Sequence, residues 1–150
     1  MITLREAWQL LDDHVAVRDK TAVPVEQSAG WVTAEDIRAA IDVAPFRNSA
    51  MDGFAVSTKQ LTNLPATLAV DTTIYAGDGE IASSNEHKAV RIMTGAVVPD
   101  IYDAVIPVED VTCDGQTVTI TRPAKPGQHI RLPGEDLAAG DWVLRKGTVV

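Results

Sequence analysis

The feature that most restricts how this chain folds is a change of hydrophobic period near Pro45. Before it, Leu4, Trp8, Leu11 and Val15 recur at steps of four, three and four, which stacks them on one face of a helix. Thr3, followed by Glu6, has the spacing of a capping box, so the helix start is marked too. This helix has an apolar side in need of a partner. The polar stretch Arg18 to Thr21 and then Pro24 end or turn it, and Ser28 to Ala40 is expected to hold a second short helix.

Beyond Pro45 the chain breaks into short Val-, Ile- and Thr-rich runs separated by Gly, Pro, Asn and Asp, the punctuation of an all-β segment. The clearest hairpin spans Val108 to Thr121. Asp114-Gly115 supplies the turn, and Val118 and Ile120 alternate with Thr117, Thr119 and Thr121. Leu68 with Val70, Val90 with Ile92, and Val105 mark further strands, and Trp142 with Leu144 marks a last one. Asn63-Leu64-Pro65 and Gly77-Asp78-Gly79 read as turns.

With 150 residues, 45% of them apolar, the chain has material for one modest core. The expected fold is mixed α and β, mainly β. A β-rich lobe, a small barrel or sandwich, spans residues 45–131 and is inserted in a helix-containing lobe made of residues 1–44 and 132–150. The last residues, Gly147-Thr148-Val149-Val150, form an apolar strand-like run that invites association if left unpaired, so the chain is expected to continue beyond them.

Charge narrows the function. Thirteen basic residues against twenty-one acidic ones give a net charge of -8, which opposes broad attachment to nucleic acid or to an anionic membrane. No apolar stretch approaches the roughly 20 residues needed to cross a bilayer. The N-terminus lacks the zones of a secretory signal, so the cytoplasm is the expected compartment. Cys113 is the single cysteine and can form neither an internal disulfide nor a multi-cysteine metal site. His14, His87 and His129 have no second ligand at a recurrent spacing and read as ordinary histidines.

Three loops carry polar groups suited to chemistry. Thr94-Gly95, at the end of Val90-Arg91-Ile92-Met93, offers a hydroxyl and bare backbone amides to a phosphate or oxyanion. Asn48 to Gly53 concentrates small polar groups between Phe46 and Phe54, although Asp52-Gly53 by itself reads as a turn. Gly134-Glu135-Asp136 presents two adjacent carboxylates, which suit a hard cation such as Mg²⁺ or simply a solvated acidic loop. Residue types and spacing name no reaction.

Taken together, the loops resemble a known family. The strings Pro45-Phe46-Arg47-Asn48-Ser49-Ala50-Met51-Asp52-Gly53-Phe54-Ala55-Val56 and Arg91-Ile92-Met93-Thr94-Gly95-Ala96 are each specific. They are followed by Asp103-Ala104-Val105, by Gly127-Gln128-His129-Ile130-Arg131, and by Gly134-Glu135-Asp136. In that order they resemble the N-terminal half of the molybdopterin molybdenumtransferases, which include bacterial MoeA and the E domain of gephyrin. The family inserts molybdate into adenylylated molybdopterin in molybdenum cofactor biosynthesis, releasing AMP, with Mg²⁺ assisting. The resemblance implies catalytic roles for Asp52, Thr94 and Asp136, with Asp52 and Asp136 positioning the metal or an attacking water. We add Ser49 and Arg131 as residues that help orient the substrate.

Arg47 and Phe54 depart from the family's usual carboxylate or polar residue and Tyr, without removing a site residue. The resemblance also implies that complete members are homodimers and continue into a molybdopterin-binding domain, so this stretch alone is expected to be inactive. The alternative expectation is a non-catalytic dimerisation or protein-binding module of the same family.

Overall fold

The computed structural model describes residues 2–79 and 85–150. Among the described residues it has one α-helix, α1 (Leu4–His14), and ten strands. These are β1 (Ile37–Arg38), β2 (Asn48–Ser49), β3 (Gly53–Val56), β4 (Ala66–Ile74), β5 (Ala89–Ile92), β6 (Ala104–Pro107), β7 (Val111–Cys113), β8 (Thr117–Ile120), β9 (Ile130–Arg131) and β10 (Trp142–Leu144). The mixed, mainly β class expected from the sequence is the class observed. Among the described residues no helix is long and apolar enough to cross a membrane. The chain divides into two compact units, Met1–Arg38 with Trp142–Val150, and Ala39–Asp141.

In the first unit the capping box forms as its spacing requires. The Thr3 hydroxyl accepts from the Glu6 N–H, and the Glu6 carboxylate accepts from the Thr3 N–H at 2.7 Å. Those bonds favour the ionised carboxyl and hold Glu6 below its usual range, the Thr3 backbone N–H contributing most. The apolar stripe is uncovered: Leu4, Trp8, Leu11 and Val15 are 76%, 60%, 53% and 73% exposed.

The second helix, expected over Ser28 to Ala40, does not form. Gly30 turns the chain with φ +81, and the following residues extend to pair with the chain's last residues. Gly30 N–H donates to the Val150 carbonyl, Val150 N–H to Trp31, and Thr33 N–H to Thr148. Further on, β1 pairs with β10. A partner more than a hundred residues away takes the backbone groups that a local helix would have used, and a local reading cannot see it.

The second unit is organised by one six-stranded sheet in the order β6-β3-β5-β4-β8-β7, antiparallel except for the β4–β5 pair. The expected hairpin is β7–β8. Asp114 accepts from the Gln116 and Thr117 N–H groups across its turn, while Val118 and Ile120 are buried. At β3 and β6 the sheet is covered on both faces. Phe54, Val56, Ala104 and Ile106 enter one core cluster, and Ala55, Val90, Ile92 and Val105 the other. Successive side chains of β3 thus bury themselves on opposite sides, which is why this strand is apolar throughout instead of alternating.

Between β5 and β6, β3 leaves no room for a side chain at its first residue. A Cβ on Gly53 would collide with the carbonyl oxygen of Ile106. Asp52-Gly53 therefore acts as a strand entry, with glycine required by the close approach of backbone and not by a turn. Replacing Gly53 by Ala is expected to lower stability by about 2 kcal/mol, the usual cost of overpacking. Gly79 has an open surround, so Gly79→Ala is expected to stay within roughly 0.5 kcal/mol. Urea denaturation of the two variants checks the contrast.

Candidate active site

The Asn-Ser-Ala-Met-Asp-Gly string is placed by backbone bonds to two other strings. β2 pairs with β9, setting Asn48 opposite Arg131 and Ser49 opposite Ile130. Ser49 N–H donates to the Ala96 carbonyl, Gly95 N–H donates to the Ser49 carbonyl, and Ala50 N–H donates to His129. Arg47 anchors the entrance: its guanidinium donates to Asp100 at 3.0 Å and to the Tyr102 carbonyl at 2.9 Å. Phe54 is buried in β3, whereas Phe46 remains half-exposed, so one aromatic rather than two pins this segment.

Asp52 and Thr94 meet. Asp52 Oδ1 accepts from both the backbone N–H and the hydroxyl of Thr94, each at 2.8 Å. The carboxyl is held below its usual range chiefly by the Thr94 N–H, then by the Thr94 hydroxyl, with a smaller contribution from the positive charge of Arg91. Asp52 is exposed, and its Oδ2 accepts no hydrogen bond from the described residues. One carboxylate oxygen is fixed and the other is presented. Asp103 likewise accepts from the N–H and the hydroxyl of Thr58, but on its two separate oxygens and part-buried, so an Asp–Thr pairing alone does not mark a site.

The remaining expected residues fall into two places. Ser49 is fully buried, and its hydroxyl donates to the Met51 carbonyl at 2.6 Å, bracing the loop that carries Asp52. Arg131 and Asp136 line a cleft of about 170 Å³. Gly95, next to Thr94, also lines it, with Asn48 and the apolar side chains of Val43, Phe46 and Leu132. Among the described residues, Asp136 makes no hydrogen bond to Asp52 or Thr94.

Glu135, its neighbour, caps the loop by accepting from Leu132 N–H at 2.9 Å. Sequence reasoning missed Asn48 as a cleft residue. The available signal was its place opposite Arg131, which depends on a strand pairing across more than eighty residues.

No group of three or more His, Cys, Asp or Glu able to hold a metal occurs among the described residues. Mg²⁺, however, commonly takes one or two carboxylates and completes its shell with water and phosphate oxygens. The free Oδ2 of Asp52 is an oxygen donor of that kind, and Asp136 presents a second carboxylate at the cleft.

Because folding favours the ionised form of Asp52, its contribution to stability is present above its ordinary pKa and is lost as pH falls through the lowered value. Thr94→Val removes the hydroxyl bond and keeps the N–H bond. The Asp52 pKa is expected to rise part of the way toward its ordinary value, as read from carbon-13 titration of its carboxyl. An unchanged midpoint would show that the hydroxyl does not hold the charge.

Comparison with known proteins places the chain in a family. The sequence profile of the family described as MoeA N-terminal region (domain I and II) matches residues 2–150. Molybdopterin molybdenumtransferase 2 of Mycobacterium tuberculosis is 40% identical over 154 residues, covering 100% of this chain and 38% of that relative. The molybdopterin molybdenumtransferase of Haemophilus influenzae is 40% identical over 150 residues, covering 98% of this chain and 37% of its own length. The crystal structure of molybdopterin biosynthesis moeA protein from Pyrococcus horikoshii OT3 superposes with a TM-score of 0.88 at 36% identity, covering 97% of this chain and 40% of that one.

The chain thus spans about two fifths of the length of the relatives it matches. With the family profile reaching its last residue and its motif strings joined in one unit, this chain belongs to the MoeA N-terminal region family.

Proposed function

We propose that this chain supplies Asp52, Thr94 and Asp136 to a molybdopterin molybdenumtransferase that inserts molybdate into adenylylated molybdopterin and releases AMP. The observation that carries this reading is the Asp52 carboxylate, fixed on one oxygen by Thr94 and offered to solvent on the other, beside the cleft lined by Gly95, Arg131 and Asp136.

An adenylate linkage carries negative charge that must be neutralised before it breaks. Mg²⁺, held by Asp52 and Asp136, would supply that neutralisation when bound. The chain's own residues do the rest. Thr94 keeps Asp52 ionised and aimed, Ser49 braces the loop, and Arg131 helps to orient the substrate. The Thr94 hydroxyl proton is committed to Asp52 at rest, so its contact with an oxyanion requires that bond to be exchanged.

The division into a β-rich lobe inserted in a helix-containing lobe, the homodimer and the cytoplasmic setting are parts of the same proposal. The exposed stripe of α1 supports association, and it is also the observation that favours a second reading, a non-catalytic dimerisation or protein-binding module. Activity separates the two readings.

Joining this chain to the remainder of the Haemophilus influenzae relative is expected to give a protein in which insertion is measurable, whereas the 150 residues alone are expected to be inactive. In the joined protein Asp52→Asn is expected to slow molybdenum insertion roughly 100-fold or more. Its fold should be kept, with thermal unfolding only slightly lowered, since an amide oxygen still accepts from Thr94 although the charge that folding favours is gone. Wild-type turnover would remove Asp52 from the mechanism, whereas absence of insertion by the joined protein with Asp52 intact would favour the non-catalytic reading.

A further inference from the structure

We propose that Asn48 reads the cyclic amide edge of a flat heterocycle, a ring N–H beside a ring carbonyl. On the reading given above, that ring is the pterin of the substrate. Asn48 is only 7% exposed, yet it lines the cleft. Its Nδ2 donates to the Phe46 carbonyl at 3.3 Å, which fixes the orientation of the amide, because the reverse would set two oxygens face to face.

The other end of the amide is unclaimed. Asn48 Oδ1 accepts no hydrogen bond from the described residues, and no polar side-chain atom among them is both sealed from solvent and unpaired. The acceptor therefore keeps access to the outside, and the cleft is the space this buried residue lines. An amide this deeply buried whose carbonyl goes unused by the protein is positioned for a donor brought by a ligand.

Arg131 lies directly across the β2–β9 pair, and opposed residues project to the same side of a strand pair. The other pair, Ser49 and Ile130, is buried on the opposite side. An acceptor on one strand and a guanidinium donor on its partner match an N–H and a carbonyl side by side. Phe46 and Leu132 supply apolar contact for the faces of a ring. The volume of about 170 Å³ lies well below that of pockets for drug-sized ligands, so one ring system fits and a whole nucleotide does not.

The test uses the 150-residue chain, with backbone and side-chain amide NMR signals as the readout. Three probes are titrated: pterin, its N3-methyl derivative, and hypoxanthine, which shares the cyclic amide on a different ring. Pterin is expected to shift the Asn48 side-chain amide and the Gly95 signal, and the N3-methyl derivative to bind about 10-fold more weakly for lack of the donor. Asn48→Leu, which keeps the size and removes the acceptor, is expected to weaken pterin binding by about the same factor.

Equal binding of pterin and its N3-methyl derivative overturns the assignment, and this comparison stands even where Asn48→Leu fails to fold. Cleft shifts with hypoxanthine and none with pterin overturn the pterin identity. Loss of the Asp52 effect on insertion, with pterin still bound at Asn48, sinks the catalytic reading and leaves this one in place.

Discussion

The second unit depends on how tightly β3 is held between β5 and β6. With Gly53 against the Ile106 carbonyl and both neighbouring strands in register, the backbone of β3 has no freedom to shift. Rigidity at that strand is transmitted to the residue before it. Asp52 sits at the end of a fixed strand, its own carbonyl accepting from Val108 N–H, while Thr94 follows the adjacent strand β5. Two residues far apart in the chain therefore meet at hydrogen-bond distance because the strands that carry them are neighbours. A side chain at position 53 would force the strands apart and separate the pair.

The charge of the chain sets the second constraint. A protein of net charge -8 is a poor general attractor for an anionic substrate, so any attraction must be local. Arg91 stabilises the Asp52 carboxylate, and Arg131 stands at the cleft opposite Asn48. Short-range hydrogen bonds and the carboxylates' capacity to share a cation take the place of a long-range field. Elsewhere carboxylates are used to brace turns, as Asp114 and Glu135 do by accepting backbone N–H groups. Many of the acidic groups are therefore structural, and their number alone says little about the site.

Parts of this architecture were readable before any coordinates. The α1 cap and the β7–β8 hairpin depend on residues within a few positions of each other, so their signals are local. The Asn-Ser-Ala-Met-Asp-Gly and Arg-Ile-Met-Thr-Gly-Ala strings pointed to Asp52 and Thr94 through resemblance. Periodicity did not reveal β3, because a strand covered on both faces has no polar side to alternate with. The absent second helix failed for the opposite reason: residues 28–40 carry a locally plausible pattern that pairing with the chain's end overrides.

The sequence by itself determined the local elements, the mainly β class, the net charge and the family, since each follows from neighbouring residues or from contiguous strings. Only the tertiary structure decided that Asp52 receives both donors of Thr94, that Ser49 braces a loop from within the core, and that Asn48 faces Arg131 across a strand pair. Those outcomes depend on the register between strands separated by tens of residues. That register is set by the summed packing of the core, and no short stretch of sequence encodes it.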